Sequence, residues 1–226
     1  MRVLLVLSLL FLLNSCQSQE AEKGKALSTQ KPQFKDWENE VKPKALDPYF
    51  IPNPSNEQSS GPSVITRNVL QDRNGVIWLA TWNGIIQYDG EIFKNYTNSA
   101  MLKKYRAFHI LEDHQGKLWF GTIGGGVFSY DGNNWKSYNE ENGLKDNSVE
   151  VLAEDLKGNI WIGHDKGVSV LINHKDEDED IGFLHLGISE GLEDGDIHDI
   201  TVDEEGLVWI ASTGGINTYD GSELKE

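Results

Sequence analysis

The sequence predicts an all-β protein built from four similar four-stranded sheets. One short motif recurs four times, its tryptophans are 41, 42 and 48 residues apart, and each copy lies between two apolar runs. Near-constant spacings of this size are typical of stacked structural repeats. With 226 residues, 38% of them apolar, the chain is long enough to form one substantial domain.

Each copy of the motif reads Asp, two variable residues, Gly, one variable residue, an aliphatic residue and Trp. The repeat residues are Asp72, Gly75, Trp78, Asp113, Gly116, Trp119, Asp155, Gly158, Trp161, Asp203, Gly206 and Trp209. The Asp carboxylate can accept backbone N–H groups across a tight turn, where Gly takes a positive φ. We therefore expect these residues to have structural roles.

Four strands per copy are predicted from the flanking residues. An aliphatic residue three positions before each Asp marks a first strand, and these residues are Val69, Ile110, Leu152 and Ile200. The Trp marks a second strand, and Ala or Gly follows it two residues later. A Gly-containing turn then leads to a third strand, which ends in Tyr-Asp-Gly in three copies, and a fourth strand follows.

The Trp strand is apolar on both faces. In the first copy Ile77 and Leu79 face one side, while Val76, Trp78 and Ala80 face the other. Both faces must be covered, and the neighbouring repeat is the natural cover. A sandwich would leave one polar face per strand, and helical repeats would show a period of 3.6. We predict a β-propeller of four-stranded blades, in which the four visible repeats form a partial or open ring.

The N-terminus predicts export. Residues 1–16 contain one Arg and then an apolar stretch from Val3 to Leu13, the layout of a secretory signal peptide. This stretch is too short to span a bilayer, which needs about 20 residues. The segment Leu13-Asn14-Ser15-Cys16 resembles the lipobox of bacterial lipoproteins, which implies lipidation of Cys16. We expect the protein in the cell envelope, lipid-anchored to a bacterial membrane, most simply the outer membrane, and extracytoplasmic.

The remaining chain divides into a flexible tether at 17–60, rich in Gln, Glu, Lys, Ser and Pro, and the propeller repeats at 61–226. The formal charge of −16 disfavours nucleic acid as a partner. The acidic run at 175–182 has no Glu at the twelfth position of a calcium loop, so a solvated loop is favoured. We expect neither a metal nor a cofactor.

Candidate binding residues lie where the copies differ. The turn after the Trp strand reads TWNG, TIGG, HDKG and STGG, so Trp82, Asn83, His164 and Asp165 replace small residues. Arg106 precedes a strand at the same converging end. Propellers commonly bind ligands at loops on an axial face, and an exposed Trp beside polar groups would suit a sugar ring. Alternatively, these positions vary because nothing constrains them.

No catalytic residue is predicted. The six histidines stand at unlike positions in the copies, without paired metal-ligand spacing. The sequence also lacks the G-x-S-x-G motif of serine hydrolases.

The repeats resemble those of the two-component regulator propeller family. The resemblance is carried by NGLKDNSVEVLAEDLKGNIWIGHDKGVSVL and by LEDHQGKLWFGTIGGGVFSYDG at 111–132, and it extends from residue 64 to about 221. It implies an extracytoplasmic sensor portion, and with the lipobox it is similar to the free-standing lipoproteins of the family. No kinase region follows the repeats, so we expect a membrane-tethered binding or sensing module without kinase activity, whose ligand or protein partner is unknown.

Two alternatives remain open. One is an enzyme of the streptogramin lyase type, which would need a convergent His and Glu with a divalent metal. The other is a truncated propeller remnant with little function, since propellers of this family have more blades than the four seen here. Open blade edges also predict self-association.

Overall fold

The computed structural model describes residues 57–58, 61–96, 102, 105–172 and 182–226, which form four antiparallel sheets. The strands are β1 (Glu57–Gln58), β2 (Thr66–Gln71), β3 (Ile77–Thr81), β4 (Gly84–Tyr88), β5 (Phe93–Asn95), β6 (Arg106–Glu112), β7 (Leu118–Ile123), β8 (Gly126–Tyr130), β9 (Trp135–Tyr138), β10 (Val149–Glu154), β11 (Ile160–His164), β12 (Gly167–Ile172), β13 (Gly182–Leu186), β14 (Ile197–Val202), β15 (Val208–Ser212), β16 (Gly215–Tyr219) and β17 (Leu224–Lys225). The predicted all-β fold class is confirmed.

We name the sheets blade 1 (β1–β5), blade 2 (β6–β9), blade 3 (β10–β13) and blade 4 (β14–β17). Within each blade, consecutive strands from the first long strand onward pair with one another in chain order. The first long strands β2, β6, β10 and β14 contact one another in sequence, so they line the inner side of the blade array. The outer strand of blade 4, β17, has two residues.

Blade 1 has a fifth strand from the end of the predicted tether. β1 pairs antiparallel with the outer strand β5, through Glu57 opposite Lys94 and Gln58 opposite Phe93. This pairing occupies the outer edge of blade 1, which would otherwise present unpaired backbone groups. The predicted signal segment 1–16, including Cys16, and residues 17–56 of the tether lie outside the described residues.

One carboxylate organises each repeat. Oδ1 of Asp113 accepts the backbone N–H groups of Gln115 and Lys117, both at 2.9 Å, and Oδ2 accepts the indole N–H of Trp119 at 2.9 Å. Gly116 completes the turn with φ of 91°, where a side chain would be strained. Asp72, Asp155 and Asp203 make the same three bonds in their copies.

Three of the four repeat tryptophans fill the space between blades. Trp78 packs in one cluster with Phe120 of blade 2, at a ring-centroid distance of 5.6 Å, and Trp161 lies 5.5 Å from Tyr219 of blade 4. Trp119 packs in the same way against the apolar residues of blade 3. The Trp face of blades 1, 2 and 3 is thus covered by the next blade, as predicted from the two apolar faces of the Trp strand.

All turns between the second and third long strands lie at one end of the blades, which we call the turn end. A 3₁₀ turn at Glu140–Asn142 connects blade 2 to blade 3 there, and another at Ile188–Glu190 connects blade 3 to blade 4. The Asp-x-x-Gly turns lie at the opposite end, because consecutive strands are antiparallel. Structural turns and variable turns are therefore separated in space.

Replacing Asp113 with Ala is expected to lower the unfolding free energy by roughly 3 kcal/mol, because a buried indole N–H and two turn N–H groups lose their acceptor. Asp203→Ala is the matched control. It removes the same three bonds, but Trp209 is 41% exposed, so water can replace the lost acceptor. Urea denaturation measures both changes, and an equal or larger loss for Asp203→Ala would contradict this expectation.

Candidate functional site

The five candidate binding residues all lie at the turn end, but in two separate groups. Trp82 and Asn83 form the turn between β3 and β4, and Arg106 begins β6 beside them. His164 ends β11, and Asp165 follows it in the turn to β12 of blade 3. The first group lies between blades 1 and 2, whereas the second faces blade 4.

The first group is packed against itself. The guanidinium of Arg106 lies over the ring of Trp82, 4.7 Å from its centroid, and Trp82 is half-buried. The backbone N–H of Asn83 donates to the hydroxyl of Thr81 at 3.0 Å. One face of the indole is therefore taken by a cation of the same chain, so Trp82 is less open to a sugar than an exposed Trp would be.

His164 takes the place of a Thr in the repeat. In blades 1 and 2 the hydroxyls of Thr81 and Thr122 donate across the turn to the carbonyls of Gly84 and Gly126, at 2.9 and 2.8 Å. The side chain of His164 is completely buried at the corresponding position. It lies beneath the surface, so it does not itself face a ligand.

In blade 3, a series of hydrogen bonds among four polar groups replaces the hydrogen bond of the Thr hydroxyl. The backbone N–H of Lys166 donates to Nδ1 of His164 at 3.2 Å, which leaves the ring proton on Nε2. Nε2 therefore donates to the Ser169 hydroxyl at 2.8 Å, and this hydroxyl donates to Nδ1 of His185 at 2.9 Å. The Ser169 hydroxyl thus connects the buried ring of His164 to the ring of His185.

Burial disfavours the protonated form of both rings. Burial lowers the pKa of His164 to about 4, although the carboxylate of Asp146 opposes this shift. The pKa of His185 is also lowered, first by burial and then by the positive charge of Lys145. Neutral rings match the donor and acceptor roles that the hydrogen bonds require.

Above this network lies a cleft of about 370 Å³. It opens at the turn end, between the turn of blade 3 and the connection into blade 4. Its ionisable lining residues are Lys145, Asp165, Lys166, His185, Glu190 and Asp194. The structure therefore brings Asp165, a sequence-predicted residue, together with groups from two further loops.

Several of these charges are already engaged within the protein. Nζ of Lys166 lies 2.8 Å from Oδ2 of Asp146, and Glu190 accepts the backbone N–H of Gly187 at 2.8 Å. Within the described part of the chain, no side-chain hydrogen bond engages Asp165 or Lys145. These two side chains thus carry opposite charges that remain available in the cleft.

The environment of Asp165 makes its charge sensitive to a bound group. Burial, followed by the nearby carboxylates of Asp146 and Asp196, raises the pKa of Asp165. A hydrogen-bond donor or cation placed beside it would relieve that repulsion. Asp165 is therefore suited to accept a hydrogen bond from a ligand.

Sequence reasoning missed Ser169, His185 and the loop at 187–195. A usable signal was present for Ser169, which follows the turn Gly by two residues where blades 1 and 2 have Ile86 and Phe128. A polar residue at an apolar position of the repeat indicates a buried partner. His185 had no such signal, because the outer strands differ too much in sequence to be aligned.

Two further sequence predictions concern metals and membranes. In the parts of the chain that the structure describes, no group of three His, Cys, Asp or Glu side chains is arranged to hold a metal ion. Among those same residues, no helix has the length and apolarity needed to cross a bilayer. Asp176, Asp178 and Asp180 of the acidic run lie outside the described residues.

Comparison with known proteins finds a family model that matches two of the four repeats. Residues 59–83 and 102–124 match the family model of the two component regulator propeller. A search of curated proteins finds no match to the chain.

Solved structures share the fold. The extracellular domain of the putative hybrid two component system BT3049 from B. thetaiotaomicron is 26% identical with a TM-score of 0.62, over 70% of this chain and 22% of that one. The corresponding domain of BT4673 is 24% identical with a TM-score of 0.58, over 71% and 24%. Virginiamycin B lyase from Staphylococcus aureus is 14% identical with a TM-score of 0.55, over 75% and 58%, a likeness of fold alone. The chain spans less than a quarter of the length of the first two.

Stability is expected to fall as the pH is lowered from about 6.5 towards 4, because His164 takes a proton near 6.5 when unfolded but resists it in the folded state. His164→Thr restores the residue of blades 1 and 2 and should remove this part of the loss. The urea midpoints of variant and wild type are compared across this pH window. Their difference isolates the contribution of His164 to the loss of stability from the contribution of the carboxylates. His198→Thr, at an exposed histidine, is the control, and an unchanged profile in His164→Thr would contradict the prediction.

Proposed function

We propose that this chain, whose repeats are two-component regulator propeller repeats, is an extracytoplasmic binding module that takes a small polar ligand in the cleft beside blade 3. The cleft carries the proposal, because it forms where the third repeat departs from the others at His164 and Asp165. The likeness to extracellular domains of two-component systems supports a sensing role and an extracytoplasmic location.

The ligand class follows from the charges of the cleft. Asp165 accepts hydrogen bonds and Lys145 donates them. A ligand whose groups both donate and accept hydrogen bonds could therefore bind both side chains at once. Sugar hydroxyls have this property. The net charge of −16 works against polyanions, so we assign the cleft to an uncharged glycan fragment.

Attachment to a membrane is the second part of the proposal. Cys16 is the single cysteine of the chain and ends the apolar N-terminal segment. A lipid on this residue would hold the propeller at a bilayer surface through the segment 17–56. Two or more acyl chains suffice for stable anchoring, since each buried methylene contributes about 0.8 kcal/mol.

The enzymatic alternative has no specific support in the described residues. The similarity to virginiamycin B lyase is 14% in sequence and concerns the fold. His164 is buried and hydrogen-bonded on both ring nitrogens, so it is not presented to a substrate. The remnant alternative predicts a poorly folded product, and the binding experiment below includes that outcome.

Asp165→Asn is expected to weaken glycan binding about tenfold, which corresponds to about 1.4 kcal/mol, because the carboxylate loses its charge while its shape is kept. The chain lacking residues 1–16 is screened on glycan and peptide panels, and binders are measured by calorimetry. Glu204→Gln is the matched control, since it removes an exposed carboxylate from the opposite end of the blades.

Two results would contradict the proposed site. One is a folded protein that binds nothing on either panel, and the other is a binder whose affinity is equal for wild type and Asp165→Asn. An aggregated product without binding would instead support the remnant alternative.

Cys16→Ser is expected to abolish incorporation of a labelled fatty acid and to move the protein from the membrane to the soluble fraction, because the thiol is the point of lipid attachment. Ser18→Ala, two residues further on, should keep both properties. Labelling and fractionation in a bacterial host measure the effect. Retention of the label in Cys16→Ser would exclude lipidation at this residue.

A further inference from the structure

The connection from blade 3 to blade 4 exposes an isoleucine in the wall of the cleft. Ile188 begins the 3₁₀ turn of this connection and is 67% exposed. It is one of the residues that line the cleft. Val168 and Leu186, the other aliphatic side chains of the lining, are buried. Ile188 is therefore the main apolar surface that the cleft offers to a ligand.

The corresponding connection from blade 2 to blade 3 differs at this place. Its 3₁₀ turn begins with Glu140, whose backbone N–H donates to Oδ1 of Asn147 at 2.9 Å. The side-chain amide of Asn147 in turn donates to the Glu140 carboxylate at 3.0 Å. When the connections are aligned on the Gly-Leu pair after each turn, Ile188 takes the position of Glu140. Gly195 takes that of Asn147, so this bridge cannot form beside the cleft.

The loops around the cleft are linked to one another. In the blade 3 turn, the backbone N–H of Gly167 donates to the carbonyl of Gly195 at 2.7 Å. A Cβ atom at Gly195 would lie 3.2 Å from the carbonyl oxygen of Asp165, so glycine permits this close approach. The same turn is linked to the earlier connection by Lys166, whose Nζ lies 2.8 Å from Asp146. The loops thus hold their lining groups in place before a ligand binds, which lowers the entropic cost of binding.

An acetamido group matches the charged and apolar groups of this cleft together. Its N–H and C=O point in opposite directions, because a secondary amide is planar and trans, and it ends in a methyl group. Asp165 can accept from the N–H and Lys145 can donate to the C=O, both as charge-assisted hydrogen bonds. The methyl group can then cover Ile188. A hydroxyl group can donate or accept, but it has no apolar part.

We propose that the cleft recognises glycan fragments that carry an N-acetylated amino sugar, with the acetyl methyl group packed against Ile188. This assignment rests on the proposed glycan-binding function of the same cleft and names the sugar class. An acetamido group is uncharged, so the net charge of −16 does not oppose its binding. Sugars with hydroxyl groups alone would leave Ile188 in contact with water.

Glycan pairs that differ only by acetamido in place of hydroxyl test the proposal. Suitable pairs are diacetylchitobiose with cellobiose, and N-acetyllactosamine with lactose. Calorimetry of the full chain, in a detergent without a sugar headgroup, is expected to show about tenfold tighter binding of the N-acetylated member. Ile188→Ser should reduce this preference about threefold and leave the affinity for the hydroxyl member unchanged, because only the methyl contact is lost. Leu156→Ser, at a residue 70% exposed at the opposite end of the blades, should bind like wild type.

Saturation-transfer NMR locates the methyl contact directly. In wild type, the acetyl methyl protons of the bound sugar should receive the strongest saturation of the ligand. This signal should fall in Ile188→Ser and remain in Leu156→Ser. Circular dichroism of both variants shows that the blades remain folded.

The results that overturn the assignment differ from those that overturn the proposed function. Glycan binding without preference for the N-acetylated members, or confined to glycans without an acetamido group, removes the acetamido assignment and leaves the glycan site standing. Equal losses for both members of a pair in Ile188→Ser have the same consequence. A preference for 6-deoxy sugars that depends on Ile188 would assign the methyl contact to that class instead. Binding of peptides but of no glycan would overturn the proposed function, and the acetamido assignment with it.

Discussion

The hydrogen bond from the Trp indole to the Asp carboxylate is the interaction on which the other features of the repeat depend. A Trp can be buried between two sheets when its N–H has a partner, and the carboxylate that supplies one also holds the turn beside it. One side chain thus links local turn geometry to packing between blades. Because four copies repeat it, the blades stack through nearly equivalent contacts, and stability is approximately a sum over neighbouring blades.

This arrangement leaves the turn end free to vary. The Asp-x-x-Gly turns lie at the opposite end, so substitutions such as His164 change the turn of blade 3 without touching the bonds of Asp155. Burying His164 costs folding free energy, because its ring must stay neutral and both ring nitrogens need hydrogen-bond partners. Ser169 and the backbone of Lys166 provide them. The replacement of Thr by His at position 164 is thereby stabilised by its neighbours, among which Ser169 also differs from the repeat.

The same repetition explains why Trp209 and Val69 are exposed. A blade in the middle of the array is covered on both sides, but Trp209 and Val69 belong to blades with one described neighbour. Repeat arrays require polar capping surfaces to remain soluble as single chains. The apolar residues on these two faces are therefore a property of the array as a whole, which no single repeat reveals.

The sequence by itself determined the number of blades, their strand order and the residues of the Asp turn, because these depend on period and local geometry. It also placed Trp82, Asn83, Arg106, His164 and Asp165 at one end, since the turns after the Trp strands must lie together. Only the tertiary structure decided that His164 is buried while Asp165 lines a cleft, that Arg106 covers Trp82, and that His185 completes the polar chain. These facts depend on contacts between distant loops and on which face a neighbouring blade covers, and neither is encoded in the spacing of one repeat.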